Sequence, residues 1–430
     1  MKHIINPSRE SWPALIQRPQ LELEFLDGAV KNILNRVKKS GDAALLEFSQ
    51  QFDKVKLTDF LVSESEIKNA VAQLDDDLKS AIETAAQNIE KFHAAQKRDV
   101  IKIETMPGVQ CWRKSIAIQK VGIYIPGGSA PLFSTVLMLG IPAKLAGSNE
   151  VILCTPPASD GSVNSVILFA AYLVGVKKIF KIGGAQAIAA MAYGTKSVPS
   201  VDKIFGPGNQ YVTKAKQIVS QEGIAIDMPA GPSEVLIIAD ETADASFVAA
   251  DLLSQAEHGA DSQVVLVSLD KDIVTKAIAE VDQQVELLPR KEIAKEALKN
   301  SLSILFNDEA SLIDFVNEYA PEHLIINTKN NEVLSDKVIN AGSVFLGGYT
   351  PESAGDYASG TNHTLPTNGF AKAFSGVSLE SFMKHITFQK ISEDGLKVLG
   401  PVVEKMAEAE QLIGHKNSIS IRLKKLSVIR

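Results

Sequence analysis

The hydrophobic positions of this chain change their period about a quarter of the way along it. In residues 24–52 and 64–97, apolar side chains recur at spacings of three and four, as at Ile67, Val71 and Leu74. That period is typical of amphipathic helices. The N-terminal quarter is therefore predicted to be mostly helical.

From about residue 120, short apolar runs alternate with helical stretches. The runs are VGIYIP, EVILCTP, KKIFKIGG, DKIFGPG, EVLIIAD, QVVLVSL, LSILF, HLIINT and SVFLGG. Strands that are apolar throughout and separated by helices are typical of parallel sheets covered on both faces. The pattern predicts an α/β fold.

Two glycine- and proline-rich breaks, PGGSAP at 126–131 and PAGPSE at 229–234, bracket about a hundred residues, enough for an inserted α/β domain. After residue 400, PVVEKMAEAEQLIGH has helical spacing, whereas SISIRL alternates like a strand. This tail is too small to hold a core alone. We expect it to pack on another body.

Composition narrows the class of protein. The 430 residues are 45% hydrophobic, which suits two or three globular domains. No apolar run reaches about 18 residues and the N-terminus lacks the order of a secretory signal, so the chain is expected to be cytoplasmic and not to cross a membrane. Two cysteines, Cys111 and Cys154, fit a reducing compartment. The net charge of -7 disfavours nucleic acid as a partner.

The segment SQAEHG offers a candidate metal site. Gln255 and His258, with Asp251, form a polar stripe at the end of a predicted helix. Residues three apart lie on the same side of a helix, so this carboxamide and imidazole could share one cation. A solvated helix end is the commoner interpretation of such a pair, and two ligands do not complete a zinc site. Local reasoning leaves both interpretations open.

Candidate acid and base residues lie in EYAPEHLIIN. Glu322 and His323 are adjacent at a proline-defined bend before an apolar strand, where a carboxylate and an imidazole could both serve proton transfer. A surface Glu-His pair is the alternative.

Two later segments also carry polar candidates. The glycine-rich stretch GGYTPESAGDYASGTNHTLPT contains Glu352, Asp356 and His363 and is predicted to be a long structureless loop. Such loops favour function, since packing alone rarely offsets the entropy of ordering them. Glu410 and His415 lie at the end of the C-terminal helix, where capping is the competing explanation.

Phosphate binding has a weaker signal. Neither GxGxxG nor GxxxxGK[ST] occurs, but IPGGSAP, IGGAQAIA and FGPGNQYV each follow a predicted strand and open a helix. One such turn is ordinary. Three of them in one α/β segment favour a nucleotide crevice without naming the nucleotide.

Longer motifs resemble the histidinol dehydrogenase family from end to end. The stretches that carry the resemblance, in the family's order and at its spacings, are VGIYIPGGSAPLFSTVLML, GGAQAIAAMAYGT, FGPGNQYV, DMPAGPSEVLI, LLSQAEHG, YAPEHL, SAGDYASGTNHTLPT and GHKN. The resemblance implies the zinc-dependent oxidation of L-histidinol to L-histidine through L-histidinaldehyde with two NAD, the final step of histidine biosynthesis. It also implies two Rossmann-like parallel-sheet domains, one inserted in the other, with small helical N-terminal and C-terminal extensions.

The same resemblance assigns roles to residues. His323 would take the alcohol proton and Glu322 would activate water on the aldehyde. One zinc ion per subunit, replaceable by manganese or cobalt, would be held by Gln255, His258, Asp356 and His415. The remaining substrate contacts match Ser233, His363 and Glu410, in addition to His323 and the four metal ligands. The NAD contacts match Tyr124, Gln186 and Asn209.

The family's architecture further implies domain boundaries and a homodimer. Residues 1–22 would form an N-terminal extension, residues 23–124 with 235–377 the domain that carries zinc and the catalytic pair, residues 125–234 the inserted NAD-binding domain, and residues 378–430 a dimer-exchange domain. Glu410 and His415 would then complete the partner's active site.

Other classes of protein share some of these features. An NAD-dependent aldehyde or alcohol dehydrogenase would use a cysteine nucleophile, for which Cys154 is a candidate. A zinc hydrolase could activate water with Glu322, His323 and a metal alone. A metal or nucleotide sensor would need no catalysis.

Overall fold

The structure is a computed structural model that describes residues 1–19, 26–127, 131–228 and 231–428. The strands in these residues are β1 Lys2–Ile5, β2 Lys102–Met106, β3 Val109–Ala117, β4 Lys120–Tyr124, β5 Glu150–Thr155, β6 Lys178–Lys181, β7 Lys203–Phe205, β8 Ala225–Ile226, β9 Glu234–Ala239, β10 Gln263–Ser268, β11 Leu302–Leu305, β12 His323–Asn327, β13 Ser343–Leu346 and β14 Met383–Ile391.

The α-helices are α1 Trp12–Leu15, α2 Leu26–Ser40, α3 Asp42–Phe48, α4 Glu64–Gln73, α5 Asp76–Ala94, α6 Phe133–Ala146, α7 Ser165–Val174, α8 Gly184–Tyr193, α9 Gln210–Gln221, α10 Ala245–Ala256, α11 Lys271–Gln284, α12 Lys291–Lys299, α13 Glu309–Tyr319, α14 Asn331–Ser335, α15 Glu352–Tyr357, α16 Glu393–Ala409 and α17 Ile413–Val428. The chain divides into a larger unit, Met1–Ala95 with Ile118–Phe382, and a smaller unit, Gln96–Ala117 with Met383–Arg430.

The larger unit contains two parallel sheets. Five strands pair in the order β6-β5-β4-β7-β8, and six pair in the order β1-β11-β10-β9-β12-β13. Apolar side chains fill both faces of each sheet against helices, as predicted from the uninterrupted apolar runs. All the predicted runs after residue 120 are strands, so the predicted α/β fold is confirmed.

Both sheets contain the same strand arrangement. In each, the first strand of the βα series is central, the next two extend to one side, and the fourth and fifth extend to the other. The order reverses between β4 and β7 in one sheet and between β9 and β12 in the other. Such a reversal opens a crevice outside the carboxyl ends of the two strands, where α/β proteins bind ligands.

The N-terminal segment belongs to the six-stranded sheet. Strand β1 pairs in parallel with β11, and the indole of Trp12 is buried against Phe306 and Phe315. The segment is therefore integral to the larger unit's core. Strand β1 was not predicted, because a single four-residue strand with mostly exposed side chains has no periodic signal.

In the smaller unit, one prediction from the sequence is wrong. Its antiparallel sheet, ordered β14-β3-β2, is followed by α16 and α17, and the helix α17 covers the SISIRL stretch that was predicted to be a strand. Ile419 and Leu423 approach the backbone of Gly400 together. These residues are four apart, so helical packing on α16 outweighs a six-residue alternation that is too short to decide.

The long loop before residue 367 also differs from its prediction. It contains the short helix α15, and the close approach of Phe345 to Gly355 leaves no room for a larger residue in that helix. None of the helices in the described parts of the chain is long and apolar enough to cross a bilayer.

A glycine at the reversal point of the five-stranded sheet is open to a direct test. Gly206 has φ +121°, and an added Cβ would lie 2.0 Å from the carbonyl oxygen of Tyr124. Gly206→Ala is expected to lower the free energy of unfolding by about 4 kcal/mol. Gly147→Ala is the matched control, since Gly147 has φ +88° but no atom within 4 Å of an added Cβ. It should lose only about 1 kcal/mol. Equal losses in urea denaturation would contradict the steric argument.

Candidate active site

The predicted acid and base residues lie at the amino end of β12, which pairs between β9 and β13. Ala320 caps the carboxyl end of α13, and its φ of +52° turns the chain through Pro321 into the strand. Glu322 and His323 follow at once, and both are buried. The alternative of a surface Glu-His pair is therefore wrong.

One neighbouring residue holds both side chains through its backbone. The N–H of Glu234, the first residue of β9, donates to Oε2 of Glu322 at 2.9 Å, and its carbonyl oxygen lies 3.1 Å from Nδ1 of His323. A carbonyl can only accept, so Nδ1 carries a proton. In the neutral imidazole the basic nitrogen is then Nε2, which lies 3.3 Å from Oδ1 of Asp356.

Burial and neighbouring charges shift the pKa values of both Glu322 and His323. Burial raises the pKa of Glu322 to about 8, because the carboxylate is removed from water. Burial by itself lowers the pKa of His323, but the carboxylates of Glu322, Asp356 and Glu352 outweigh burial and raise that pKa. The site therefore favours a proton on the imidazole and resists ionisation of Glu322.

The SQAEHG residues lie at the carboxyl end of α10. Gln255 is 1% exposed, and its Oε1 has no hydrogen-bond partner. His258 lies just beyond the helix and is exposed as a residue. Its pKa is lowered by partial desolvation, against the opposing charge of Asp356 nearby. Gln255 is therefore buried, with its side chain hydrogen-bonded to Glu352, whereas His258 stays exposed and feels the charge of Asp356.

Helix α15 supplies Asp356 and also Glu352, a candidate that the sequence left without a role. Glu352 is 1% exposed, accepts a hydrogen bond from Ser254 Oγ at 3.0 Å, and has a pKa raised to about 7 by burial. Its charge acts on His323. Glu352 and Asp356 are four residues apart in ESAGD, and this helical spacing was a signal that the structureless-loop prediction obscured. Burial acts to raise the pKa of Asp356, but His323 holds it low.

His363 is fixed at both ring nitrogens. Nδ1 lies 2.8 Å from the carbonyl oxygen of Asp356, and Nε2 lies 3.0 Å from Oγ1 of Thr135 in α6. Burial lowers its pKa. The carbonyl accepts from Nδ1, and the lowered pKa favours the neutral ring, in which Nε2 accepts from the threonine hydroxyl.

The predicted metal ligands in the larger unit could bind a cation but do not complete its coordination. Across the described ranges, no group of three or more His, Cys, Asp or Glu side chains is arranged to hold a metal. His258 and Asp356 supply two such groups, and the buried Gln255 oxygen without a partner supplies a third donor. A buried oxygen of this kind costs free energy unless something binds it. The residues fit a divalent ion that takes further ligands from elsewhere.

The three predicted NAD contacts follow strands of the five-stranded sheet. Tyr124 ends β4, and its hydroxyl accepts from the N–H of Gly184 at 3.0 Å. Burial raises the pKa of Tyr124 to about 12, so the phenol is neutral. Gln186 is buried in the first turn of α8, and Asn209 caps α9 by accepting from the N–H groups of Tyr211 and Val212.

The other predicted contacts are more exposed. Ser233 is partly buried directly before Glu234, and its carbonyl accepts from the N–H of Gln263. Glu410 and His415 belong to the smaller unit and are exposed at the end of α16 and the start of α17. Residues 128–130 and 229–230 of the predicted glycine-rich breaks lie outside the described residues.

Comparisons with known proteins agree on one family. The family model described as Histidinol dehydrogenase matches residues 16–423. Histidinol dehydrogenase of Bacteroides thetaiotaomicron is 58% identical over 99% of this chain and 100% of its own length, and that of Yersinia pestis is 53% identical over 98% and 95%. A crystal structure of histidinol dehydrogenase from Elizabethkingia anophelis has a TM-score of 0.98 and 56% identity over 99% of both chains.

The buried carboxyl of Glu352 predicts a pH-dependent stability. Its pKa is raised from 4.5 to about 7, so the folded protein binds this proton more tightly than the unfolded chain does. Wild-type stability should therefore fall as the pH rises through this interval. In chelator-treated protein, Glu352→Gln should match the wild type near pH 4.5 and exceed its free energy of unfolding by about 3 kcal/mol above pH 7. Glu332→Gln, at an exposed glutamate, is the control. A gain that is independent of pH would contradict the assignment.

Proposed function

The chain belongs to the histidinol dehydrogenase family of oxidoreductases of histidine biosynthesis, and we propose that it oxidises L-histidinol to L-histidine through L-histidinaldehyde with two NAD. Each oxidation transfers a hydride to the nicotinamide. The protein's task is to remove protons at the right atoms and to supply water to the aldehyde.

The arrangement of His323 carries this proposal. Its Nδ1–H donates to the carbonyl of Glu234, so in the neutral imidazole Nε2 is the nitrogen that takes the alcohol proton, and the raised pKa of His323 makes it a stronger base. An alcohol releases hydride readily only as its O–H proton departs. Asp356, 3.3 Å from Nε2, then stabilises the imidazolium that forms.

Glu322 suits the second oxidation. An aldehyde must become a hydrate before another hydride can leave, and a carboxylate can take the proton of the attacking water. The pKa of about 8 makes ionised Glu322 a stronger base than an exposed glutamate. The hydrogen bond from the Glu234 N–H fixes one of its oxygens.

We assign one zinc ion per subunit to Gln255, His258 and Asp356, with His415 as the fourth protein ligand. Bound there, zinc would supply a Lewis-acidic centre that seats the substrate's amino group and imidazole without redox change. The unpartnered oxygen of Gln255 supports this assignment, as does its position at a helix carboxyl end, where the helix dipole favours cations. Ser233, His363 and Glu410 are the proposed remaining substrate contacts.

NAD is assigned to the five-stranded sheet and to residues 125–234 as an inserted domain. Tyr124 lies where the strand order reverses, and α8 and α9 begin at Gly184 and beside Asn209. Helix α9 follows β7 at the reversal point, and the N–H of Gly184 at the start of α8 reaches the Tyr124 hydroxyl. Helix amino ends in such a position favour the phosphates of a dinucleotide. The other proposed domain boundaries are those implied by the family.

We further propose a homodimer in which residues 378–430 serve the partner's site. Helix α16 exposes Val398, Val402 and Met406, at 57%, 51% and 61%. These side chains are four residues apart and form an apolar stripe of the kind that marks a protein interface. The exposure of Glu410 and His415 in the single chain agrees with a role on another subunit. A cytoplasmic location is proposed from the two free cysteines.

A cysteine nucleophile is disfavoured as the alternative. Cys154 lies fully buried in β5, and burial raises the pKa of its thiol far above the usual range. A thiolate is the reactive form, so this side chain is chemically inert.

The reaction has a direct assay. With zinc, histidinol and excess NAD, we expect about two NADH per histidinol at completion, and a chelator should lower the rate by about tenfold or more until zinc is restored. Histidinol that yields no NADH with zinc-loaded protein would refute the proposed reaction. Full activity after chelation would refute the metal assignment alone.

The shared active site can be tested by mixing two inactive variants. His258→Asn and His415→Asn should each abolish turnover. If His415 serves the partner, a mixed dimer of the two contains one intact site, and co-expression should recover about a quarter of wild-type activity. If His415 serves its own chain, no site is intact and no activity returns. Activity of mixed dimers purified through two different tags distinguishes the two outcomes.

A further inference from the structure

Arg18 and Glu234 form a buried ion pair, and the backbone of Glu234 contacts the two catalytic side chains. Nε and Nη2 of Arg18 donate to Oε2 of Glu234 at 2.9 and 2.6 Å. Nη2 also donates to the carbonyl of Tyr319 at 2.6 Å, and the guanidinium lies 3.5 Å from the centre of the Tyr319 ring. Arg18 is 7% exposed and Glu234 is fully buried.

A pair in this position is costly to keep. Taking two charges out of water costs more than their attraction usually returns, and apolar residues of similar size are often at least as stable. Burial raises the pKa of the Glu234 carboxyl, and Arg18 acts against that rise. Stability alone is therefore a poor explanation for the pair.

The position of Glu234 in the chain offers another explanation. Its backbone N–H orients Glu322, and its carbonyl fixes the proton on Nδ1 of His323. Its second carboxylate oxygen accepts from the N–H of Asn368, which ties down the segment after His363. Any shift at the start of β9 would thus displace both catalytic groups at once.

We propose that Arg18 and Glu234 form a positioning pair that holds Glu322 and His323 in register for both oxidations. This inference rests on the proposed roles of those two residues. Arg18 acts from the N-terminal segment, which is fixed in the larger unit by β1 and Trp12. It is a forked donor that engages Glu234 and the Tyr319 carbonyl together, which a lysine cannot reproduce.

The test compares Arg18→Lys, Glu234→Gln and the neutral double variant Arg18→Met/Glu234→Gln in the zinc-loaded enzyme. The single variants should lower kcat by about tenfold to a hundredfold with histidinol and with histidinaldehyde alike, while KM changes by less than about threefold. Arg9→Met is the matched control, because Arg9 also pairs with an acid, Asp314, and lies over an aromatic ring, that of Trp12, but is exposed. Its kcat should equal that of the wild type.

The double variant separates positioning from folding. It leaves no unpaired buried charge, so its melting temperature should recover relative to the single variants, while its kcat should stay low. Recovery of kcat together with stability would overturn the inference, as would wild-type kcat in Arg18→Lys. Wild-type enzyme that forms no NADH from histidinol would instead refute the underlying reaction.

Discussion

The removal of ionisable groups from water at the amino ends of β9 and β12 is the constraint on which the rest of the structure depends. Glu234, Glu322, His323 and Glu352 are all buried there, and each would cost several kcal/mol without a partner. The backbone of Glu234, the guanidinium of Arg18 and the hydroxyl of Ser254 provide those partners. The surrounding segments are placed so that these donors converge.

The two parallel sheets share one strand arrangement but offer positions that suit opposite charges. The five-stranded sheet presents helix amino ends where its order reverses, which suits anionic phosphates. The candidate catalytic cluster of the six-stranded sheet lies at the opposite edge, beside the carboxyl end of α10, which suits a cation and an imidazolium. The usual crevice rule therefore anticipates the proposed phosphate-binding position but not the candidate catalytic cluster.

The sequence predicted the parts of the fold that have a local signal. Apolar runs identified the central strands, and long motifs identified the family, which the comparisons confirm. Strands β3 and β14 are largely exposed and have no apolar run, so they escaped notice. The Arg18–Glu234 contact joins residues 216 positions apart, and no local pattern could indicate it. Glu352 was visible but was placed in a supposed loop.

The antiparallel sheet of the smaller unit has a consequence for the order of synthesis. Strand β3, at residues 109–117, pairs along its whole length with β14, at residues 383–391. During synthesis, some 270 residues are translated between β3 and β14. Over that interval the backbone donors and acceptors of β3 can pair only with β2, on one side of the strand. The smaller unit can therefore form only after residues 383–391 have been translated, later than every strand of the two parallel sheets.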